Sequence, residues 1–520
     1  MHHLLRMEAI NLDATILDTN DLSTRRGGSY MLLQAVRDVE REFSGQLKAI
    51  STGASVGLFA IEGQDRPDEF EHRVREFVTQ HPLYMHATFV VTAVSYDSGF
   101  KLAHERAIAA GRWQQMQSLS VSSAWAVPPD LDAENVLAVG AIEAVCEIDE
   151  VRPATVRDYM PGQTKTAFGT SVWRRRFDVH GGRALRQTFY ERELVGHGVD
   201  ANYTFTADLE TLARLPPCPP DADPGIPSTL DNKIALFYAD GNGFGRIQAA
   251  CDCPDKLQKW DTHLKAERRE FLANLLAFVS TQEPWLTGDR KLRLETLLWG
   301  GDELMFVVPA WCGLELADRF FSAMASLRDP NGDPNKPLTH AAGLVFAHRS
   351  APIGRLQSLA WHLAEKGKAD DKQKNLDTLT WVVLESFDHA GADLDGYLAS
   401  RYPIAAVRPT WARLQLTPPL LTALRNQMPA LRNMLPRSQI VRAVERLVDG
   451  RQSSDRLLRR SYHAIGTADE SDAFASLWLA LTDHQWSGLP ATEASTLEVD
   501  LAAWTVMLEL WDYAVAGADL

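Results

Sequence analysis

Residues 233–347 carry strand-length and helix-length apolar patterns in an order that few folds can accommodate. The first pattern, KIALFYA, is an uninterrupted apolar run of strand length, and LRLETLLW and LMFVVPA form a strand pair joined by a short turn. In chain order, the predicted strands are 233–239, 292–299, 304–310 and 339–347, and the predicted helices are 257–282 and 312–327. The order β-α-β-β-α-β predicts a ferredoxin-like sheet, the arrangement called a palm.

A weaker copy of this pattern occupies the first 125 residues. Its predicted elements are a strand at 14–22, a helix at 27–43, a strand–turn–strand unit at 47–62, a strand at 85–96 and a helix at 100–117. At the tip of its hairpin this copy has Ser51-Thr52-Gly53-Ala54-Ser55, a sequence with no carboxylate. We therefore predict a degenerate palm over 1–125 that cannot hold a metal ion at its hairpin tip.

The 520 residues are too many for one hydrophobic core, so several domains are expected. Six prolines between 215 and 233 exclude a helix or a central strand there, and we predict a linker at 215–232. The other predicted units are a mixed region at 126–214, an active palm at 233–390, which includes a helix at 352–368 and a last strand at 376–385, and a helical domain at 391–520. The predicted fold class is α+β, with two ferredoxin-like palm domains, the first degenerate and the second active, and a helical C-terminal domain.

The composition limits the classes of partner. The formal net charge of −15 argues against loose, charge-driven binding along a nucleic acid backbone, but not against a nucleotide bound together with metal ions. The densest basic run, Trp173-Arg174-Arg175-Arg176, is interpreted as a solvated strand face or a set of ion-pair partners in preference to a phosphate contact. No apolar run approaches the roughly 20 residues that span a bilayer, and no signal peptide is recognisable, so we expect a cytoplasmic protein that does not bind membranes.

Five cysteines are present, at positions 146, 218, 251, 253 and 312. Their number is odd and none has CxxC spacing, so we expect neither a disulfide framework nor a four-cysteine zinc site. Cys251 and Cys253 are interpreted as two incidental thiols near the surface.

The turn Gly300-Gly301-Asp302-Glu303 places two carboxylates at the hairpin tip of the second palm. Asp240 ends the first strand of the same palm, and because these strands are neighbours in a palm, the three carboxylates are expected to converge. Crowded carboxylates repel one another unless a cation lies among them, and phosphoryl transfer requires such cations. Taken separately, Asp240 is as well explained as a helix cap and the acidic pair as a solvent-facing turn. Taken together, they favour a catalytic site.

A glycine-rich loop, Gly241-Asn242-Gly243-Phe244-Gly245, follows Asp240 directly. Its backbone N–H groups enter a helix and would bind a triphosphate, while the two glycines of the hairpin turn permit backbone angles that most residues avoid. The loop matches neither GxGxxG nor GxxxxGK[ST], so the sequence predicts neither a Rossmann site nor a P-loop.

At this point a resemblance to a known family can be stated. YADGNGFG followed by WGGDELMFVVPA resembles the active palm of the large subunit of type III CRISPR effector complexes, and also the related GGDEF cyclases. DLSTRRGGSYMLLQAV looks like that subunit's first-palm segment, in which a glycine–serine pair opens a helix. AAGLVFAHRSAPIGRLQSLA resembles its late strand and helix. The resemblance covers most of the chain and is most specific at residues 233–310.

That family binds two ATP molecules between its palms and, with divalent metals, joins them 3′ to 5′ into cyclic oligoadenylates that act as antiviral second messengers. The resemblance therefore implies ATP as substrate, two Mg²⁺ or Mn²⁺ ions, and subunits of a guide-RNA ribonucleoprotein as partners. The metal ligands that it implies are Asp240, Asp302, Glu303 and the carbonyl oxygen of Gly241. The nucleotide-binding residues that it implies are Gly28, Ser29, Gly241, Asn242, Gly243, Phe244, Gly245, Gly300, Gly301, Lys366 and Lys368.

Three departures from the family pattern bear on these expectations. The turn is Gly-Gly-Asp-Glu, where the family usually has Gly-Gly-Asp-Asp. No His-Asp dipeptide occurs, so we expect no HD nuclease activity, and the zinc-finger cysteines of the family are missing. These departures suit a compact, stand-alone or diverged cyclase.

Three functions compete on the sequence alone. The favoured one is a metal-dependent nucleotidyltransferase that makes a cyclic oligonucleotide signal and releases pyrophosphate. The second is a non-catalytic scaffold subunit of an RNA-guided effector complex. The third is a GGDEF-like dimeric cyclase that uses GTP, although a second palm within one chain argues against it. No residue identifies the base that is read.

Overall fold

The computed structural model of the chain describes residues 2–12, 19–62, 66–85, 87–97, 99–118, 145–159, 165–176, 182–198, 203–216, 225–371, 376–384, 393–406, 408–434, 436–449, 455–466, 471–487, 490 and 494–514. Most of the predicted strand at 14–22, Cys218 and the middle of the predicted linker lie outside these residues. So do much of the mixed region and the end of the active palm that we assigned to 233–390.

The first palm is a four-stranded antiparallel sheet with two helices in the β-α-β-β-α-β order and a third helix after the last strand. Its elements are β1 (His2–Ile10), α1 (Leu22–Glu42), β2 (Leu47–Thr52), β3 (Val56–Ile61), α2 (Pro67–Gln80), β4 (Thr88–Tyr96) and α3 (Phe100–Gln117). The strand order β2-β3-β1-β4 is that of a ferredoxin-like sheet, so the predicted fold of this domain is confirmed.

The sequence prediction was wrong about the beginning of this palm. The first strand of the sheet is β1, which the sequence analysis did not predict, and the described end of the predicted strand at 14–22 contains Asp21, which caps a helix by accepting a hydrogen bond from the Thr24 N–H at 2.8 Å. Helix α1 therefore begins at Leu22 instead of 27. The sequence analysis also missed helix α2. Strand β1 lies between two neighbours and buries four consecutive residues, so it lacks the alternation that marks a half-buried strand.

A connecting region links the palms. Its elements are β5 (Val156–Tyr159), β6 (Lys165–Phe168), α4 (Thr170–Arg176), α5 (Gly182–Glu193) and α6 (Leu209–Ala213). The basic run lies in helix α4, so its interpretation as a solvated strand face was wrong: Arg174 and Arg175 are only 1% exposed, and Arg176 forms an ion pair with Asp21.

The second palm repeats the topology of the first and adds one strand. Its elements are β7 (Lys233–Gly241), α7 (Phe244–Ala250), α8 (Pro254–Val279), β8 (Glu295–Gly300), β9 (Glu303–Pro309), α9 (Gly313–Met324), β10 (His340–His348), α10 (Ile353–Asp371) and β11 (Thr378–Val383). The order β11-β10-β7-β9-β8 is the ferredoxin-like order, with β11 added in parallel beside β10, as predicted. Gly343 lets α10 lie directly on the sheet, since a Cβ there would be 1.9 Å from the Ala360 carbonyl oxygen.

The rest of the described chain is helical, as predicted. The helices are α11 (Leu394–Arg401), α12 (Trp411–Leu414), α13 (Pro418–Met434), α14 (Arg437–Val448), α15 (Arg456–Gly466), α16 (Ser471–Thr482) and α17 (Ala494–Glu509). Their core includes the mutually packed rings of Tyr462, Phe474, Trp478, Trp486 and Trp504. Within the described ranges, no helix combines the length and apolar character needed to cross a bilayer.

The four described cysteines are free thiols. Cys251 is buried, so the interpretation of Cys251 and Cys253 as two surface thiols was only half right.

Glu193 joins the two palms through the connecting region. It lies at the end of α5, forms an ion pair with Arg37 of α1, accepts a hydrogen bond from Arg269 Nε of α8 at 3.0 Å, and accepts another from Trp299 Nε1 of β8 at 3.2 Å. Burial opposes ionisation of this carboxyl, but Arg37 and Arg269 outweigh it and hold the pKa of Glu193 below its usual value.

We expect Glu193→Gln to lower the free energy of unfolding at pH 7 by about 1.5–3 kcal/mol, the range for hydrogen bonds to charged groups. Because the folded-state pKa is depressed, the carboxylate stabilises the fold fully above the unfolded pKa, about 4.3, and this contribution is lost as the pH falls through the folded-state pKa. Denaturant titration of the wild type and of Glu193→Gln, at pH 7 and below pH 4, should therefore show a difference in the free energy of unfolding that becomes smaller in acid. Glu191→Gln, which changes an exposed neighbour, is the matched control. If Glu193→Gln lowered the free energy of unfolding equally at both pH values, the prediction would be contradicted.

Candidate active site between the two palms

Two of the predicted acidic residues lie opposite each other on neighbouring strands of the second sheet. Asp240 near the end of β7 pairs directly with Glu303, the first residue of β9, and directly opposed residues of antiparallel strands present their side chains on the same face. Asp302 lies in the turn between β8 and β9 and acts electrostatically on both. The topology therefore brings all three carboxylates to one end of the sheet.

The electrostatics of this end favour a positive charge. Burial, together with repulsion from Asp302, raises the pKa of Asp240 to about 7, although a hydrogen bond from Lys368 opposes the rise. Burial likewise raises the pKa of Glu303, against the effect of the Tyr238 hydroxyl, which donates to Glu303 Oε1 at 2.7 Å. The Lys368 ammonium contacts Asp240 and also Glu365 Oε1, the latter at 2.7 Å. These carboxyls would be stabilised as anions by an additional cation.

The three carboxylates have the chemistry to bind a divalent cation, but they are not close enough together to share one. Across the described part of the chain, no group of three or more His, Cys, Asp or Glu side chains is close enough to hold a metal ion. Asp240 is engaged by Lys368, and Glu303 by Tyr238. Carboxylate oxygens are nevertheless the donors that Mg²⁺ prefers, and the Lys368 ammonium is a cation already on Asp240. Metal ligation by the three acids and by the Gly241 carbonyl stays a prediction.

The glycine loop is held tightly by its neighbours. Gly243 has a φ of +72° and precedes α7, a helix of seven residues. The backbone N–H of Asn242 donates to the Thr339 carbonyl oxygen at 2.8 Å, so this N–H is not available for a triphosphate. A Cβ at Gly241 would lie 2.4 Å from the ring of Phe244, which explains the need for glycine there. Phosphate binding by the remaining loop residues, including Gly245, stays a prediction.

Of the predicted lysines and the first-palm glycine–serine pair, only Lys368 lies next to the acidic residues. Lys368 reaches Asp240, whereas Lys366 pairs with Asp395 of α11 at 3.1 Å. Gly28 and Ser29 do not open a helix but lie within α1, and neither lines the two clefts described next.

The hairpin tips of the two palms touch. A Cβ on Gly300 would lie 2.2 Å from the Cβ of Ala54, at the tip of the β2–β3 hairpin, and 2.9 Å from the Ala54 backbone nitrogen. Gly301, with a φ of +45°, completes the second-palm turn. The acidic tip of one palm is therefore packed against the carboxylate-free tip of the other.

Two clefts, each of about 320 Å³, adjoin these tips. The first lies on the side of α1 and α5 and is lined by charged residues such as Arg37 and Lys265. The second lies on the side of β3 and α3 and includes Asp302 and Glu303. The residues that line both are Gly53, Asp261, Arg268, Gly300 and Gly301.

Sequence reasoning missed the contribution of helix α8 to these clefts. Asp261 accepts hydrogen bonds from the Ser51 hydroxyl at 3.1 Å and from the Thr52 N–H at 3.3 Å, and so binds the first-palm tip. Lys265 donates to Asp261 at 2.5 Å. Asp261, Lys265 and Arg268 are spaced i, i+4, i+7, which places them on one face of the helix. The available signal was the i, i+4, i+7 spacing of these three charges, but other charged residues of the same helix obscured it.

No protein-family model matches the sequence, and neither does any curated protein. Similar solved structures include Csm1 from T. onnurineus (12% identity, TM-score 0.46), with 97% of this chain and 69% of that chain covered. A Csm1–Csm4 cassette in complex with AMPPNP is similar at 12% identity and a TM-score of 0.45 (97% and 70% covered). The Csm1–Csm4 subcomplex of a type III-A CRISPR-Csm interference complex is similar at 13% identity and a TM-score of 0.44 (97% and 70% covered). The chain is thus similar to Csm1 structures over nearly its whole length, at low identity.

Proposed function

We propose that this chain is a nucleotidyltransferase that joins nucleoside triphosphates into cyclic oligonucleotides and releases pyrophosphate. The observation that carries the proposal is the contact between the two hairpin tips, with a cleft of about 320 Å³ adjoining it on each side and with Asp302 and Glu303 lining one of them. Two clefts that share a wall suit two nucleotides that must react with each other.

The proposed reaction forms a bond between a ribose 3′-oxygen of one nucleotide and the α-phosphorus of the other. The bond to the β-phosphate oxygen breaks, pyrophosphate leaves, and the hydroxyl proton passes to solvent. A divalent ion held by Asp240, Asp302 and Glu303 would neutralise charge on the phosphate oxygens and lower the pKa of the attacking hydroxyl. Tyr238 orients Glu303 by its hydrogen bond, and Lys368 balances the charge of Asp240.

The choice of substrate and role rests on the sequence resemblance of YADGNGFG and WGGDE to the type III CRISPR large subunit. That resemblance supports ATP as the substrate and antiviral signalling as the role. It also supports subunits of a guide-RNA ribonucleoprotein as partners. Both Mg²⁺ and Mn²⁺ are candidate ions.

The direct test is mass spectrometry of products after incubation with all four nucleoside triphosphates. We expect oligoadenylates to form with Mg²⁺ or Mn²⁺, and to be absent with EDTA. The incubation should be repeated with guide and target RNA, because subunits of a guide-RNA ribonucleoprotein are the proposed partners. A chain that makes no oligonucleotide under any of these conditions would contradict it.

A scaffold without catalysis is the second candidate, and one observation favours it: Asp240 and Glu303 already have protein partners, Lys368 and Tyr238. Thermal unfolding with ATP and Mg²⁺ separates the two functions. A ligand at 100 times its dissociation constant stabilises the folded state by about 2.7 kcal/mol, which an enzyme should show and a scaffold should not. AMP without metal is the matched control ligand.

A further inference from the structure

Arg268 is a buried cation in the wall between the two clefts. It projects from α8, is 6% exposed and lines both clefts together with Gly300 and Gly301. Its Nε and Nη1 atoms have no hydrogen-bond partner among the described residues, and its guanidinium lies 5.7 Å from the centre of the Trp299 ring. A buried charged donor without an acceptor normally destabilises a fold, so its presence calls for an explanation.

The nearby carboxylates do not satisfy Arg268. Asp261 is used by Lys265 and by the first-palm tip, and Glu193 is used by Arg37 and Arg269. Burial lowers the pKa of Arg268 even though Glu193, Asp261 and Asp302 act in the opposite direction. The stacking contact with Trp299 compensates only part of the lost hydration. The wall between the clefts thus holds a cation that still has unused donors.

We infer that Arg268 binds a phosphate group of a nucleotide seated between the two palms, a role that rests on the proposed function. The guanidinium presents a planar set of donors that matches phosphate oxygens two at a time. Gly301, which lines both clefts beside it, has nothing within 4 Å of the place where a Cβ would lie, so it leaves room for a ligand at this wall. The phosphate belongs either to a nucleoside triphosphate or to the phosphodiester of a growing chain, and the ligand chemistry is the same for both.

The test is calorimetric binding of three probes to the full chain in Mg²⁺. The probes are AMPPNP, the linear trinucleotide ApApA with phosphodiesters only, and adenosine without phosphate. Arg268→Met keeps the stacked, unbranched side chain and removes the charge. We expect it to weaken AMPPNP binding, ApApA binding or both by about 10- to 100-fold, the range for hydrogen bonds to charged groups. Adenosine binding should change by no more than about twofold, because only the phosphate contact is lost.

Two further variants keep the experiment decisive. Arg268→Lys retains the charge but loses the planar donors, and we expect a loss of about 3- to 10-fold for the same ligand, including in the case that Arg268→Met does not fold. Arg319→Met is the matched control, since Arg319 also stacks on an aromatic ring, Phe278, but lines neither cleft. It should leave all three affinities unchanged.

The probe that loses affinity identifies the source of the phosphate. Equal losses for adenosine and the phosphate-bearing probes would overturn the inference, as would unchanged AMPPNP and ApApA binding, or a wild-type chain that binds neither. Failure of the proposed function is a separate result. A chain that binds AMPPNP through Arg268 and makes no product contradicts catalysis alone, whereas product formation with unaltered phosphate binding in Arg268→Met contradicts the Arg268 assignment alone.

Discussion

Asp302→Asn should lower the rate of oligonucleotide formation by roughly 10²–10³-fold, which corresponds to the several kcal/mol of charge stabilisation that a bound metal ion supplies to a transition state. The substitution keeps the size of the side chain and removes one negative charge from the cluster with Asp240 and Glu303. Asp302 makes no side-chain hydrogen bond or ion pair with another described residue, and its charge repels Asp240 and Glu303, so the substitution should not destabilise the fold. The measurement is the initial rate of product formation at saturating ATP and Mg²⁺, together with the thermal unfolding midpoint.

Asp333→Asn is the matched control for this experiment. Asp333 is an exposed acid in a loop of the same palm, and its side chain accepts from the Asn335 N–H at 2.9 Å, which an amide oxygen can also do. We expect full activity and an unchanged unfolding midpoint. If Asp302→Asn retained wild-type activity, the hairpin tip would not be the catalytic site, whatever product the chain makes.

The sequence was most informative where local patterns determine the structure. The second palm was predictable because its strands are short apolar runs, of which β7 and β8 end at a glycine and β9 at a proline, and because the strand order of a ferredoxin-like fold follows from the order of elements. That topology places Asp240 opposite Glu303 without knowledge of any side-chain contact. Convergence of the acidic residues is therefore a consequence of register.

The first palm was less predictable for local reasons. Strand β1 contains Arg6 and Glu8, which pair with each other at 2.7 Å, and these charges interrupt an apolar run that would otherwise indicate a strand. The start of α1 was misplaced because the Gly27-Gly28 pair resembles a helix start, whereas Asp21 is the capping residue. Glycines inside a helix are tolerated here because α1 packs closely against α4 and α5.

The packing of one palm on the other could not be predicted. The roles of Arg268 and Asp261 depend on how α8 meets the β2–β3 hairpin, and no sequence period records a contact between elements about 200 residues apart. The same holds for the partners of the predicted lysines. Lys366 and Lys368 are two residues apart on α10, so they point in different directions and only Lys368 reaches Asp240.

Gly300→Ala tests that packing and should have the second-largest effect. The new methyl group would lie 2.2 Å from the Cβ of Ala54, a distance that real Cβ atoms do not tolerate, so the two hairpin tips must separate. Overpacking of this kind costs about 1–3 kcal/mol of folding free energy. A displacement of about 1 Å between two reacting nucleotides costs about 10²-fold in rate. We therefore expect a lower thermal unfolding midpoint together with a rate of product formation that is about 10²-fold lower.

Ala54→Gly supplies the compensating change, because it removes the atom that the new methyl group meets. In a double-mutant cycle, Gly300→Ala with Ala54→Gly should recover part of the stability and activity, with a coupling energy of about 0.5–3 kcal/mol. Recovery should be incomplete, since the Ala54 backbone nitrogen would still lie 2.9 Å from the new Cβ. Gly288→Ala, at a glycine whose added Cβ would meet nothing within 4 Å, is the matched control and should behave as wild type. Purely additive effects of the two substitutions would mean that the palms do not meet at this contact in solution, and the shared wall on which the two-nucleotide reaction depends would not exist.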